Sequence, residues 1–338
     1  MACIRVSAPA HLHAGNYELT CDERVSRCYG TIGVAVSKPR LVVRICLSPR
    51  LDVHSATGDR WCRELETFAR MYASRVSELI GQGLSVELIR CYPWGAGLGA
   101  RTPLALSIAE AARRLVAPEY SLEELALMLG RGWVSGLGYH AFTRGGLIVD
   151  AGFEPGSPGS SIPPLVYRGE PSVGIVIALP LLPLGAVRRL KEEAEKLDKM
   201  LSVRAPPEVS GMLTRLAFTG FLGNLVAGRL REAFSALEEM NRAAGEYWRA
   251  HGQQGVYCCP EAEELVRAMR SLGAWGVLQS SWGPSVWGVY PSMADARRAA
   301  ARIAELSARI GELLVWATGI DASGARIEAE GVALARAA

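Results

Sequence analysis

The stretch from Tyr92 to Ala112, YPWGAGLGARTPLALSIAEAA, sets three glycines at alternate positions immediately ahead of an apolar helical repeat. Gly95, Gly97 and Gly99 lack a Cβ, so the chain through them can turn its amide N–H groups toward an anion and approach it closely. Thr102 is placed to cap the helix, and Pro103 suits its first turn. Leu104, Ile108, Ala112 and Leu115 recur at a spacing that buries one face. The amino end of this helix, with its positive dipole, then points at the loop. Gly95, Ala96, Gly97, Leu98, Gly99, Ala100, Arg101 and Thr102 read together as a phosphate cradle. Such a cluster is a weak signal alone, and its meaning depends on what accompanies it.

A chain of 338 residues has room for two domains with a well-buried core. Hydrophobic residues at 49% and charged residues at 21% describe a globular chain and exclude a disordered or fibrous one. A formal net charge of +3 gives no reason to expect a nucleic-acid partner. The positive charge is nearly all arginine, with lysine only at Lys38, Lys191, Lys196 and Lys199, and arginine's planar fork suits phosphate and carboxylate. The most apolar run, Val173 to Val187, is broken by Pro180 and Pro183 and is too short for a membrane span of about 20 residues. The eight cysteines are scattered, without a secretory signal or repeated spacing, and read as reduced thiols of a cytoplasmic protein. Asn16, Asn224 and Asn241 are the only asparagines and Gln82, Gln253, Gln254 and Gln279 the only glutamines, which fits heat adaptation; the cysteine content argues against it.

Short β-branched segments at 4–9, 33–36, 41–47 and 84–90 read as strands, with a helix over 60–80 between the last two. Ser121 and Glu124 form a capping-box signal for a helix over 121–130, and 145–150 reads as a strand. The segment 154–164, EPGSPGSSIPP, is too rich in Pro, Gly and Ser for regular structure and marks the boundary between domains 1–160 and 165–338. Beyond it the pattern predicts a strand at 174–179, helices over 187–201, 208–250 and 260–272, strands at 275–279 and 285–290, a helix over 293–310 and a strand at 312–317. Helices alternating with strands in this way make an α+β fold.

Four polar constellations accompany the loop. His11 and His13 lie two apart, as on one face of a strand, with Glu18 soon after; this spacing suits substrate contact or acid/base work. Arg27 and Tyr29 stand in a basic, aromatic entry to a strand. The segment 133–150 offers Ser135, Tyr139, His140, Arg144 and Asp150 among glycines. Gln279, Ser280, Ser281 and Trp282 sit between two apolar strands, where polar groups must satisfy one another or face a ligand; Gln254 and Gly255 are grouped with them.

These segments resemble the β-ribofuranosylaminobenzene 5'-phosphate synthase family, a branch of the superfamily of galactokinase, homoserine kinase, mevalonate kinase and phosphomevalonate kinase (GHMP). The resemblance runs through APAHLHAGNYEL, YGTIGVAV, GAGLGARTPLALSIAEA, RGWVSGLGYHAFTRGGLIVDAG and YCCPEAEELVRAMRSLGAWGVLQSSWGPSVWGVY. It implies a ribosomal protein S5 domain 2-like N-terminal domain, a ferredoxin-like C-terminal domain and a ligand in the cleft between them. It further implies a decarboxylating transferase of methanopterin biosynthesis in archaea. Phosphoribosyl pyrophosphate would condense with 4-aminobenzoate or a related aromatic acid, releasing CO2 and pyrophosphate, with Mg2+ accompanying the pyrophosphate. The implied partners are these small molecules, with no nucleic acid or membrane, and a homodimer as the commonest state of such enzymes.

On this reading the helix amino end and Arg101 stabilise the departing pyrophosphate. Arg144 or Arg27 holds the 5'-phosphate or the aromatic carboxylate, Trp282 or Tyr139 stacks on the ring, and Asp150 or Glu18 holds magnesium. His11, His13, Arg144 and Asp150 are the expected catalytic residues. Relatives typically carry arginine where His11 stands, aspartate near Glu18 and GSGT where this chain has GART. The rival is an ATP-dependent GHMP-type kinase. Kinases of this superfamily usually have lysine where His11 stands and often an SGxD aspartate where Gly138 stands.

Overall fold

The computed structural model describes residues 2–22, 24–56, 58–181, 202–251, 253 and 255–331. The helix expected over 187–201 and the side chain of Gln254 lie outside the described residues.

Two sheets organise the chain. The first begins with β1 (Cys3–Tyr17) and β2 (Gly30–Ser48), which run antiparallel over nearly their whole length. The two strands expected at 33–36 and 41–47 are therefore one. Pro39, which has no N–H to give a ladder, sits at their junction. On one side of it β2 pairs with β5 (Leu147–Asp150), and on the other with β4 (Gly83–Arg90). β3 (Asp52–Ser55) adds to β4, β6 (Leu165–Gly169) to β5 and β11 (Arg326–Glu330) to β1. These last two pairings correct the expected division into 1–160 and 165–338. Composition locates the irregular segment 154–164, but the chain returns to the first sheet after it, and again near its end.

Helix α1 (Arg60–Ile80) is capped by Asp59, whose carboxylate accepts from the Trp61 amide at 2.7 Å, and ends on Gly81 in the left-handed region. α2 (Arg101–Leu115) is buried continuously from Thr102 to Ala112, the signature of a central helix rather than a surface one. α3 (Leu122–Met128) carries the expected Ser121–Glu124 capping box, and α4 (Leu137–Thr143) leads into β5.

The second sheet has the order β10 (Leu313–Thr318), β7 (Gly174–Pro180), β9 (Val286–Tyr290), β8 (Gly276–Gln279). Helices separate β7 from β8 and β9 from β10, which makes the β-α-β-β-α-β, ferredoxin-like pattern expected of this half. Between β7 and β8 lie α5 (Pro207–Arg215), a π-helical stretch Leu216–Leu222, α6 (Gly223–Val226), α7 (Leu230–Ala250) and α8 (Pro260–Ser271). Between β9 and β10 lie α9 (Met293–Ala304) and α10 (Ser307–Ile310), two helices where one was expected. Strand alternation divides the sheet between two cores: Val176 and Ala178 face α8 and α9, whereas Ile175, Ile177 and Leu179 join the core shared with the first sheet. Among the described residues, no helix is long and apolar enough to cross a membrane.

Three disulfides, Cys3–Cys46, Cys21–Cys28 and Cys62–Cys91, correct the expectation of reduced thiols. Their separations of 43, 7 and 29 residues follow no motif; strand pairing and helix packing bring the partners together. Intracellular proteins of heat-adapted organisms are the recognised exception to reduced cysteines, so the cysteine content ceases to argue against the Asn and Gln scarcity.

Candidate functional site

The glycine loop stands where the two sheets meet. Gly95, Gly97 and Gly99 have φ of 65°, 79° and 70°, alternating with residues that include the right-handed Ala100. Each carbonyl from Ala96 to Ala100 is turned into protein. The Ala96 carbonyl accepts from the Ser285 amide at 3.3 Å, that of Leu98 from His11 at 3.4 Å, that of Gly99 from Thr102 at 3.2 Å and that of Ala100 from Leu104 at 3.4 Å. The Gly97 carbonyl accepts from Ser280 Oγ at 2.6 Å. None of these contacts uses an amide of residues 95–100. Alternating hand with the carbonyls directed away is the arrangement by which successive N–H groups form an anion nest.

The glycines serve a second purpose that spacing did not reveal. A Cβ on Gly97 would lie 2.4 Å from the Ser280 carbonyl oxygen and 2.6 Å from Ser285 Oγ, and one on Gly99 would lie 2.1 Å from the His11 ring. Their missing side chains therefore admit the second sheet and β1. The helix begins at Arg101 with no side-chain cap. Thr102, expected as that cap, instead accepts through Oγ1 from Arg131 Nη2 at 3.0 Å and Nε at 3.3 Å. Arg101 lies 4.5 Å over the Phe68 ring.

His11 and His13 occupy one face of β1 as expected, and His11 packs on the loop. Burial, then the neighbouring His13 and Arg131, push the His11 pKa down to about 3, and burial brings His13 to about 4. Both rings are neutral near pH 7, so His11 offers hydrogen bonds and not charge. The helix end carries two guanidinium groups, Arg101 at its first residue and Arg131 bonded to Thr102. Arg131 and Ser285 were passed over in the sequence, although each adjoins a segment singled out there.

The turn between β8 and β9 joins the loop to the rest. Ser280 is fully buried, and its hydroxyl accepts from the His13 amide at 2.8 Å while donating to Gly97. Gln279 accepts from the Cys258 amide at 2.6 Å and donates to the Ser281 carbonyl at 3.0 Å. Asn241 of α7 spans the two sheets, donating to the Ala14 carbonyl at 2.7 Å and the Gln279 carbonyl at 3.0 Å. Gln279 and Ser280 thus satisfy protein groups, the first of the two alternatives. Ser281 is exposed, and Trp282 lies half-buried, edge-on to Trp248 at 5.4 Å.

The remaining expected residues make contacts within the protein or lie at its surface. Arg27 donates to the Ala151 and Gly152 carbonyls and pairs with Glu154 at 2.8 Å. Tyr29 is buried, stacked on Phe153 at 6.0 Å, with its hydroxyl on the Val203 carbonyl. His140 Nε2 bonds the Pro163 carbonyl at 2.8 Å, and Tyr139 lies edge-on to His140. Arg144 is exposed at the carboxyl end of α4, the end opposite Gly138. Asp150 is fully buried, accepting from the Thr31 amide at 3.1 Å and the Gly152 amide at 2.9 Å; burial pushes its pKa up to about 7. Glu18 closes a turn, its carboxylate accepting from the Cys21 amide at 3.1 Å. Asp150 and Glu18 each accept from backbone amides, and among the described residues no three His, Cys, Asp or Glu side chains converge.

A hollow of about 710 Å3 lies elsewhere, between α7, α8 and the π-helical stretch. It is lined by residues including Arg231, Glu232, Glu238 and Arg270, of which Glu238 and Arg270 pair with each other, and it touches none of residues 95–102.

Comparison with known proteins agrees with this fold. Residues 230–308 match the family described as GHMP kinases C terminal. The beta-ribofuranosylphenol 5'-phosphate synthase of Methanothermobacter thermautotrophicus is 26% identical over 299 residues, 84% of this chain and 88% of that protein. Its namesake from Archaeoglobus fulgidus is 26% identical over 169 residues, 50% of this chain and 51% of that one. The homoserine kinase of Cytophaga hutchinsonii superposes with a TM-score of 0.65 at 19% identity, covering 96% of this chain and 97% of its own. The fold and its C-terminal half are those of the GHMP kinase superfamily. Within it, the chain is similar to the beta-ribofuranosylphenol 5'-phosphate synthases, in keeping with the resemblance its segments carry.

Proposed function

We propose that this protein condenses phosphoribosyl pyrophosphate with an aromatic acid, releasing pyrophosphate and CO2. One observation carries the reading: the carbonyls of residues 96–100 are all turned inward between left-handed glycines, at the amino end of α2, with Arg131 beside it. Departure of pyrophosphate from ribose C1 leaves positive character on the sugar and adds negative charge to the leaving group. Preorganised amides and a guanidinium stabilise that charge as it develops. A bond forms between C1 and the ring carbon that bears the carboxylate; loss of CO2 from that carbon returns the electron pair to the ring. Trp282, on the turn that touches the loop, is the proposed surface for the acceptor ring.

Gly138 counts against the kinase reading. A Cβ there would lie 2.8 Å from Thr102 Cγ2 and 3.1 Å from His11 Cε1, so this arrangement has no space for the aspartate that such kinases often carry. Mg2+ is proposed to enter with the pyrophosphate, whose oxygens would supply most of its ligands, and no step is assigned to it. A homodimer is proposed as the working oligomer.

The test incubates the protein with Mg2+, phosphoribosyl pyrophosphate and, in parallel, 4-aminobenzoate or 4-hydroxybenzoate, because the relatives' name carries a phenol. Equimolar pyrophosphate and CO2 from one acceptor is the expected result. Neither product, together with ATP consumption on a small alcohol, would replace the synthase by a kinase.

A further inference from the structure

Two cysteines of the described residues stand outside the disulfides, and they are adjacent in the chain. The sulfurs of Cys258 and Cys259 lie 3.4 Å apart, and the residues are 8% and 6% exposed. Cys259 is the extended residue that opens α8, with φ of −162°, and Pro260 follows it. Its thiol is held below the ordinary range by the Cys258 thiol and, more weakly, by the Ala262 amide in the first turn, against burial and Glu261.

The pair lies under the turn that grips the loop. The Cys258 amide donates to Gln279 Oε1 at 2.6 Å, and a Cβ on Gly283 would lie 2.6 Å from Cys258 Sγ. Gln279 holds Ser281, while Ser280 and Ser285 hold Gly97 and Ala96. A continuous set of contacts thus runs from the two thiols to the anion nest.

We propose that Cys258 and Cys259 are a redox modification site: a small-molecule disulfide converts them to a vicinal disulfide, which loosens the anion loop. The Cys259 thiolate attacks one sulfur of RSSR and releases RS−. Cys258 then loses its proton, and its sulfur attacks Cys259 in the mixed disulfide and displaces the second RS−. Two cysteine thiols are oxidised, one RSSR is reduced to two RSH, and the two cysteine protons end on the released thiols. Neighbouring Cα atoms stand about 3.8 Å apart, below the usual range of roughly 4.4–6.8 Å for bridged cysteines. Closure therefore shifts the intervening peptide and the Gln279 contact, and the bond formed is a labile one. The effect on the loop rests on the anion-site reading above; formation of the bond does not.

The full chain, treated with oxidised glutathione, is mapped by mass spectrometry without reduction, followed by amide exchange and inorganic pyrophosphate titration. The peptide containing Cys258 and Cys259 is expected to lose two hydrogens. Exchange in residues 279–285 and 95–100 should rise and pyrophosphate affinity fall roughly tenfold, all reversed by reduced glutathione. Cys258→Ser and Cys259→Ser should each abolish the response. No mass loss, a glutathione adduct that persists, or mass loss with unchanged exchange each overturns the proposal. Failure of the reduced protein to bind pyrophosphate defeats the anion-site reading alone, because mass and exchange decide the dithiol separately.

Discussion

Residues 95–102 and 133–150 look alike in the sequence, each mixing glycine with arginine and other polar groups, yet the fold uses them for opposite purposes. In the first, the carbonyls of residues 96–100 are drawn into protein, and the amides of residues 95–100 take no part in those bonds. In the second, Asp150 and His140 bond backbone of their own domain, and Arg144 lies at the surface. Glycine beside charge therefore says little until it is known which backbone atoms the neighbours occupy. Asp150 shows this: one carboxylate oxygen accepts from two backbone amides of its own neighbourhood.

The sharpest way to break this contrast is at Gly97. Because a Cβ there meets the Ser280 carbonyl at 2.4 Å and φ is 79°, Gly97→Val is expected to cost about 3 kcal/mol of stability or more, and to abolish pyrophosphate binding. The glycine is a packing position as well as a cradle, so the variant is not expected to be fold-neutral. Calorimetry on the variant that found wild-type stability would show the sheets do not meet as described.

Paired arginine variants come next. Arg131→Ala should weaken pyrophosphate binding by about 1.5–3 kcal/mol with little change in Tm, as loss of a charged hydrogen bond does. Arg144→Ala should change affinity by less than about 0.5 kcal/mol, as an exposed residue away from the site does. The reverse order in titration calorimetry would move the site to 133–150.

The pH response of the two histidines tests the packing of the loop against β1 separately. With folded values of about 3 and about 4 against 6.5 unfolded, the unfolded chain takes up protons below pH 6.5 that the native protein does not. Stability is then complete above pH 6.5 and lost as pH falls toward 4, by at most about 1.4 kcal/mol per pH unit for each ring. Denaturant melts of His11→Gln/His13→Gln should show a shallower decline than the native protein; an identical slope would mean both rings titrate normally.

Much of the fold was legible because its signals are local. The Ser121 capping box, the 60–80 helix and the strands flanking 280–285 depend on side chains a few residues apart. The strands at 52–55, 165–169 and 326–330 escaped because they are short, partly exposed and sit at or near sheet edges, where burial imposes little pattern. The disulfides escaped for a related reason: Cys3 meets Cys46 only because β1 and β2 pair in that register.

The amino-acid order alone determined that residues 95–100 would bend through left-handed glycines into a helix, because absence of Cβ and helical periodicity act within one turn of chain. Only the tertiary structure decided which polar groups that bend would leave for a ligand. Ser280 reaches Gly97 across 183 residues, and Arg131 reaches Thr102 across 29. Hydrogen bonds act over about 3 Å, and the packing of the two sheets decides which distant groups come that close.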